Sequence, residues 1–238
     1  MAPIIPSTTT TITVGNVGTT LGNATKNMGG FRGFGGSVPS SGPLSMSQCQ
    51  KIQYGVGYYN TWFTPTTSVN QGTFGSTSIT NSASMTYSVW VKASALNGNW
   101  RNLYHVTSTG GDCCGGGLRA PATWIYAGST GFHCKFDSTV ANDGIDQTTS
   151  RMAMNNTKYN ITITINGTNQ RAYLNGSLSD SFTLGGTPVT DSSTAIVYSP
   201  DPYYTTSGDY SLNYLWFFPY AMTAAQVSAY YTSLVNNF

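Results

Sequence analysis

Carboxylates are scarce in this chain, and their types limit the chemistry that it can perform. The 238 residues include eight acidic residues, all of them aspartate, and no glutamate. Two aspartates, Asp143 and Asp146, lie in the segment Asn142-Asp-Gly-Ile-Asp, whose Asn, Asp and Gly residues are typical of a turn. We therefore predict a solvated turn. The functional alternative is a calcium site, because clustered carboxylate oxygens in a loop are the ligands that calcium prefers.

A second set of residues combines aromatic rings with hydrogen-bonding groups, as a sugar-binding site requires. A pyranose stacks on an exposed aromatic face while a polar side chain fixes its hydroxyl groups. The candidates beside predicted loops are Trp100, Arg101, Arg119, Tyr203 and Tyr204. The alternative is that they are ordinary core or surface residues, since the chain contains 16 Tyr.

The other reactive residue types form no recognisable catalytic or metal-binding motif. The two histidines are His105, in a strand-like pattern that indicates a structural role, and His133, which neighbours Cys134. The four cysteines include the adjacent pair Cys113-Cys114. Zinc sites use Cys-x-x-Cys spacing instead. Disulfides of undetermined connectivity and free thiols are equally compatible with the sequence.

The elements that must position these residues are short strands. Ile161, Ile163 and Ile165 alternate with Thr, which is the pattern of a half-buried strand. Asn166-Gly167 and Asn175-Gly176 then supply residues that tolerate positive φ, as tight hairpin turns require. The stretch therefore predicts a meander of three antiparallel strands.

One helix is predicted, at the C-terminus. Thr223 and Gln226 have the spacing of a capping box. The residues expected on its buried face, at helical spacing, are Val227, Tyr230, Tyr231 and Leu234.

Composition places the chain among single-domain, mainly β proteins with few charges. Charged residues are 8% of the chain, against about 25% in typical soluble proteins. The net charge of +2 excludes the basic footprint of a nucleic-acid-binding protein. Surfaces with few ions suit burial against protein neighbours, because few charges must be desolvated. No segment has the length and apolarity of a membrane span, and the N-terminus lacks the features of a signal peptide.

The chain divides into two regions by composition. Residues 1–45 form an N-terminal arm rich in Thr, Gly and Ser, which by itself could not bury enough surface to offset its chain entropy. Residues 46–238 form the predicted domain. We expect the arm to become ordered against neighbouring subunits in an assembly.

Three segments, in order, resemble laminin G-type modules of the concanavalin A-like lectin and glucanase superfamily. They are the strand Met85–Lys92 with its Trp, the hairpins from Ile163 to Leu178, and the closing strand and helix from Leu212 to Val227. The resemblance covers residues 75–235. It implies an all-β fold, an antiparallel jelly-roll sandwich with a short C-terminal helix.

The resemblance also bears on activity. Laminarinase-type glucanases of this fold use a pair of glutamates on one strand, and this chain has no glutamate. We therefore expect no enzymatic activity. Calcium is common at the rims of laminin G-like modules, which adds to the case for Asp143 and Asp146 as ligands. No other cofactor is indicated.

The segment Gly110–Gly117 with its Cys-Cys pair, and the following Arg-x-Pro-Ala-x-Trp, resemble a variant of these modules found in large DNA viruses. This resemblance implies a structural protein, a minor component of a capsid or virion shell, whose jelly roll packs among neighbours and whose arm tethers it. The alternative is a glycan-binding adhesion module, with or without calcium, on a virion or other extracellular surface. Fold alone does not decide between them.

Overall fold

The structure of the protein is a computed structural model, which describes residue 62 and residues 83–94, 100–106, 121–126, 128–136, 143–153, 155–188, 196–197, 210–218 and 220–235. The strands are β1 (Ser84–Ala93), β2 (Arg101–Val106), β3 (Ala122–Ile125), β4 (Phe132–Phe136), β5 (Asp143–Asp146), β6 (Lys158–Asn166), β7 (Asn169–Leu174), β8 (Ser177–Thr183), β9 (Ile196–Val197) and β10 (Tyr210–Phe218), followed by the helix α1 (Ala224–Leu234). The arm at residues 1–45 and the proposed domain start at residue 46 lie outside this part of the chain.

The strands form two five-stranded antiparallel sheets. The first sheet has the order β10-β1-β6-β7-β8, and the second has the order β5-β4-β3-β2-β9. Side chains from both sheets form one buried core, to which β1 and β6 contribute alternate residues such as Val89, Ile161 and Ile163 while β4 contributes Phe132 and Phe136. The predicted all-β sandwich is therefore confirmed.

The meander is confirmed, because β6, β7 and β8 pair in succession. Gly167 and Gly176 have φ values of 59° and 77°, and Asn175 has a φ of 51°. These are the left-handed conformations for which Asn-Gly pairs are suited.

The outer face of the first sheet is polar but buried. Ser88 on β1 accepts hydrogen bonds from the Asn160 amide and the Thr162 hydroxyl on β6, both at 2.8 Å. The helix α1 covers this end of the sheet, where Tyr231 stacks on Trp90 with ring centroids 5.7 Å apart. Burial of Ser, Thr and Asn is tolerated here because they satisfy one another's hydrogen bonds.

The predicted helix and its cap are confirmed. The Thr223 side chain accepts from the Gln226 backbone N–H, and the Gln226 side chain accepts from the Thr223 N–H. Val227, Tyr230 and Leu234 are buried, whereas Tyr231 is only half-buried.

The predicted turn at residues 142–146 was wrong. Asp143–Asp146 is the strand β5, whose residues pair with β4 from His133 to Phe136. Pairing with a distant strand overrides the local turn preference, and the Gln170 side chain adds a further bond by accepting from the Ile145 N–H at 2.8 Å.

Candidate aromatic binding site

The site lies on the outer face of the second sheet, where β4 alternates between core and surface. Phe132, Cys134 and Phe136 point into the core and are fully buried. His133 and Lys135 therefore point to the opposite face. In register, His133 pairs with Trp124 on β3 and with Asp146 on β5.

Three rings meet on this face, and we call them the aromatic platform: Trp100, Tyr126 and His133. The Trp100 and Tyr126 ring centroids are 4.5 Å apart, with an interplanar angle of 39°. His133 stands edge-on to both, with centroids 5.1 Å from Trp100 and 5.5 Å from Tyr126. Trp100 and Tyr126 are half-buried, so the platform combines a fixed arrangement with residues that stay partly accessible.

The floor of the platform is the buried Trp124, whose ring centroid is 5.4 Å from that of His133. Contacts of this kind stabilise aromatic pairs by about 0.5–1.5 kcal/mol beyond the burial of area. The platform is therefore held by strand pairing below it and by ring packing within it.

Charged groups border the platform on the β5 side. His133 Nδ1 lies 2.9 Å from Asp146 Oδ1, and Lys135 Nζ lies 3.5 Å from Asp146 Oδ2. Because an ionised carboxylate only accepts, Nδ1 carries the hydrogen in this bond. The Lys135 ammonium also donates to the Gly144 carbonyl at 3.3 Å. The Asp146 side chain stays 52% exposed and can accept further hydrogen bonds from a ligand.

Burial shifts two pKa values near the site. Partial burial raises the pKa of the Asp146 carboxyl above its ordinary value, because desolvation disfavours the charged form. On the core side of β4, complete burial raises the pKa of the Cys134 thiol to about 12. Cys134 is thus a neutral core thiol and takes no part in chemistry on the outer face.

The two aspartates of the calcium prediction do not share a site. The Asp143 carboxylate accepts from the Gly144 N–H at 3.0 Å and from the Gly185 N–H, whereas Asp146 binds His133 and Lys135. Residues three apart on a strand point to opposite faces, which explains the separation. In the described part of the chain, no group of three or more His, Cys, Asp or Glu side chains is arranged to hold a metal ion.

The structure brings one predicted sugar-binding residue into the site. Trp100 belongs to the platform, and Arg101 is fully buried beside it. Arg119, Tyr203 and Tyr204 lie outside the described residues. Tyr126 and His133 were not among the predicted binding residues. The available signal was His133 alternating with Phe132 and Cys134, which marks it as surface-facing on a strand.

A laminin G-type family model, described as the concanavalin A-like lectin/glucanases superfamily, matches residues 66–228. The chain belongs to this superfamily. The model covers the strands of both sheets and the first half of α1. The matched range therefore contains every residue of the aromatic platform and both aspartates of β5.

Solved structures of similar fold are distant in sequence. A crystal structure of a tryptophan-to-alanine mutant of HCR/D matches with a TM-score of 0.50 and 13% identity, over 64% of this chain and 38% of that chain. The botulinum neurotoxin type G receptor-binding domain has a TM-score of 0.46 and 16% identity, over 64% and 38% of the two chains. Trypanosoma rangeli sialidase has a TM-score of 0.45 and 11% identity, over 65% and 23%.

This superfamily member therefore spans well under half of the length of those three structures. No curated protein matches its sequence. Within the residues that the structure describes, no helix is long and apolar enough to cross a membrane.

Proposed function

We propose that this chain is a non-catalytic, glycan-binding module, and that a sugar ring binds on the aromatic platform of Trp100, Tyr126 and His133. The observation that carries the proposal is the contact of these three rings beside the half-exposed carboxylate of Asp146. Membership of a superfamily of lectins and glucanases supports the same class of ligand.

The aromatic platform suits the apolar face of a sugar, and the charged groups beside it suit the hydroxyl groups. The C–H face of a pyranose is apolar and packs on aromatic rings, while its hydroxyl groups require hydrogen-bond partners. Asp146 offers carboxylate oxygens to hydroxyl groups, and Lys135 and His133 hold that carboxylate in place. A fixed acceptor loses little conformational entropy when a ligand binds.

The non-catalytic part of the proposal is supported by composition. The chain has no glutamate, so the paired glutamates of the glucanases are absent. Among the residues that the structure describes, Asp146 is the acid beside the platform, and the nearby Asp143 binds the Gly144 and Gly185 backbone instead. Most glycoside hydrolases use two carboxyl groups on either side of the scissile bond.

The test is binding of the full chain to a glycan array, with calcium and with a chelator, followed by titration of each bound glycan. We expect Trp100→Ala and Tyr126→Ala to weaken binding at least about ten-fold, a loss of about 1.4 kcal/mol. Phe182→Ala is the matched control, because Phe182 is a partly exposed ring on β8 of the other sheet. Each variant is checked for an unchanged unfolding midpoint.

Two results would overturn the proposal. One is a folded wild-type chain that binds no glycan in either buffer. The other is a Trp100→Ala variant that binds as tightly as Phe182→Ala. Binding that disappears with the chelator would support the calcium-dependent form of the same function.

A structural role in a virion shell is the second candidate. Its support is the low charge content of 8%, which suits surfaces that are buried against neighbours. The arm at residues 1–45 is the part that should decide between the two functions. Deleting the arm should abolish incorporation into an assembly if the role is structural, and should leave glycan binding unchanged if the module is a lectin.

A further inference from the structure

We propose that the aromatic platform is selective for sugars without an acidic group, that it binds amino sugars with a free ammonium group most tightly, and that Asp146 sets this preference. The inference rests on the proposed function, because it names the class of sugar that binds at the same site. Its basis is which polar groups beside the platform face a ligand and which already serve partners within the protein.

The hydrogen-bond donors that border the platform serve acceptors of the protein itself. His133 Nδ1 donates to Asp146 Oδ1 at 2.9 Å. The Lys135 ammonium donates to the Gly144 carbonyl at 3.3 Å and lies 3.5 Å from Asp146 Oδ2. The side chains of His133 and Lys135 are 18% and 9% exposed. Little of either side chain is therefore open to a ligand.

The carboxylate of Asp146 is much more open. Its side chain is 52% exposed, although it accepts from His133 and lies beside Lys135. An ionised carboxylate has about four lone-pair positions and no hydrogen to donate. Asp146 can thus accept further hydrogen bonds. A ligand on the platform meets this negatively charged acceptor before it reaches the covered ammonium of Lys135.

The described strands of the second sheet offer a ligand little positive charge that would offset this carboxylate. Their lysine and arginine residues are Lys135 on β4 and Arg101 on β2. Arg101 is fully buried, and Lys135 is almost completely covered. Binding sites for carboxylate or phosphate groups present Arg and Lys donors to the ligand. The charges on these strands are therefore arranged against an acidic sugar.

The substituents of a sugar respond differently to an exposed carboxylate. A hydroxyl group donates a hydrogen bond to it, whereas an ionised acidic group only accepts and is repelled. A protonated amine donates a charge-assisted hydrogen bond, which is stronger than a neutral one. A cation near the rings of Trp100 and Tyr126 also gains cation–π attraction. For sugars of one configuration, we therefore expect affinity to fall from amino to neutral to acidic.

The test compares matched termini on one glycan array with the full chain. Each series presents a hexose, the corresponding hexosamine with a free amine, and the corresponding hexuronic acid, in the gluco, galacto and manno configurations. Where a series binds, its members are titrated. We expect the acid to bind about five-fold more weakly than the hexose, and the amine about two-fold or more tightly. High salt should narrow both ratios, because it screens the charge of an exposed carboxylate.

Asp146→Asn isolates the charge, because the amide keeps an oxygen that accepts from His133. We expect this variant to bring the acid and the amine to within about two-fold of the hexose. Asp143→Asn is the matched control, because it removes a charge from the same strand at a carboxylate that binds the Gly144 and Gly185 N–H groups. A purely structural effect would change the affinity for all three sugars alike, so the ratios between them are the readout.

Preference for the amine and against the acid in the wild type and in Asp143→Asn, with loss of both in Asp146→Asn, would establish the inference. Equal affinities in the wild type, or tighter binding of the acid, would overturn it and leave glycan binding itself intact. Ratios that persist in Asp146→Asn would assign the selectivity to another group. If that variant binds too weakly to titrate, wild-type ratios that salt leaves unchanged would overturn the inference. A chain that binds no glycan overturns the proposed function as well.

Discussion

The imidazole of His133 and the carboxylate of Asp146 lie directly opposite each other on β4 and β5, with Nδ1 2.9 Å from Oδ1. The same imidazole stands 5.1 Å from the ring of Trp100. His133 therefore links the charged border of the candidate site to its aromatic platform. Substitutions of His133 can therefore separate what the hydrogen bond to Asp146 and the ring contact to Trp100 each contribute to glycan binding.

We expect His133→Ala to weaken glycan binding about ten-fold, because it removes both the ring contact to Trp100 and the hydrogen bond to Asp146. His133→Phe keeps a ring and loses the hydrogen bond, whereas His133→Gln keeps a donor and loses the ring. Both should fall between the wild type and His133→Ala when titrated against the same glycan. Wild-type affinity in all three variants would show that His133 takes no part.

Gly144 allows β5 to pair with β4, and its replacement should destabilise the protein. Its φ is +127°, and an added Cβ would lie 2.3 Å from the Cys134 carbonyl oxygen. We expect Gly144→Ala to lower the free energy of unfolding by about 2–4 kcal/mol, as measured by urea denaturation. Gly128→Ala is the control, because its Cβ would meet nothing within 4 Å. Equal midpoints for the two variants would contradict this account of β5.

The capping box of α1 should contribute measurably to stability. Thr223→Ala removes the acceptor for the Gln226 N–H, and loss of such a cap costs about 1 kcal/mol. We expect Thr223→Ala to unfold at a lower thermal midpoint than the wild type. Ser228→Ala, at an exposed position inside the helix, should leave the midpoint unchanged or raise it. A Thr223→Ala midpoint equal to that of Ser228→Ala would show that the cap is dispensable.

Alkaline pH should destabilise the fold. Burial raises the pKa of Cys134 to about 12, and it raises the pKa values of Tyr87, Tyr220 and Tyr230 above the ordinary tyrosine value. Above the ordinary thiol pKa of about 9, the unfolded chain releases protons that the native state retains, so the free energy of unfolding falls as pH rises.

The cysteine contribution can be isolated with Cys134→Ala. Between pH 9 and the native pKa of about 12, Cys134 should lower the free energy of unfolding by about 1.4 kcal/mol per pH unit. The variant is less stable at neutral pH because it leaves a cavity, but its stability should fall less steeply with pH. Parallel slopes for the variant and the wild type would show that the thiol is not protected by burial.

Much of the fold was predictable because its signals are local. Asn166-Gly167 and Asn175-Gly176 set the turns of the meander through residues that accept positive φ. Thr223 and Gln226 set the start of α1 through a hydrogen-bonded cap of four residues. Each of these features depends on neighbours in the chain, so the sequence predicts it without knowledge of the rest of the fold.

The candidate site was predictable only in part. Trp100 was identified from its residue type, but its contacts with Tyr126 and His133 depend on the pairing of β2 with β3 and of β3 with β4. Likewise, Asp143 and Asp146 have the composition of a turn and become a strand because β4 supplies the partner. By itself, the sequence determined turns, cap and alternation, because these follow from local backbone geometry. Only the tertiary structure decided which side chains share a face, because strand register joins segments that are distant in the chain.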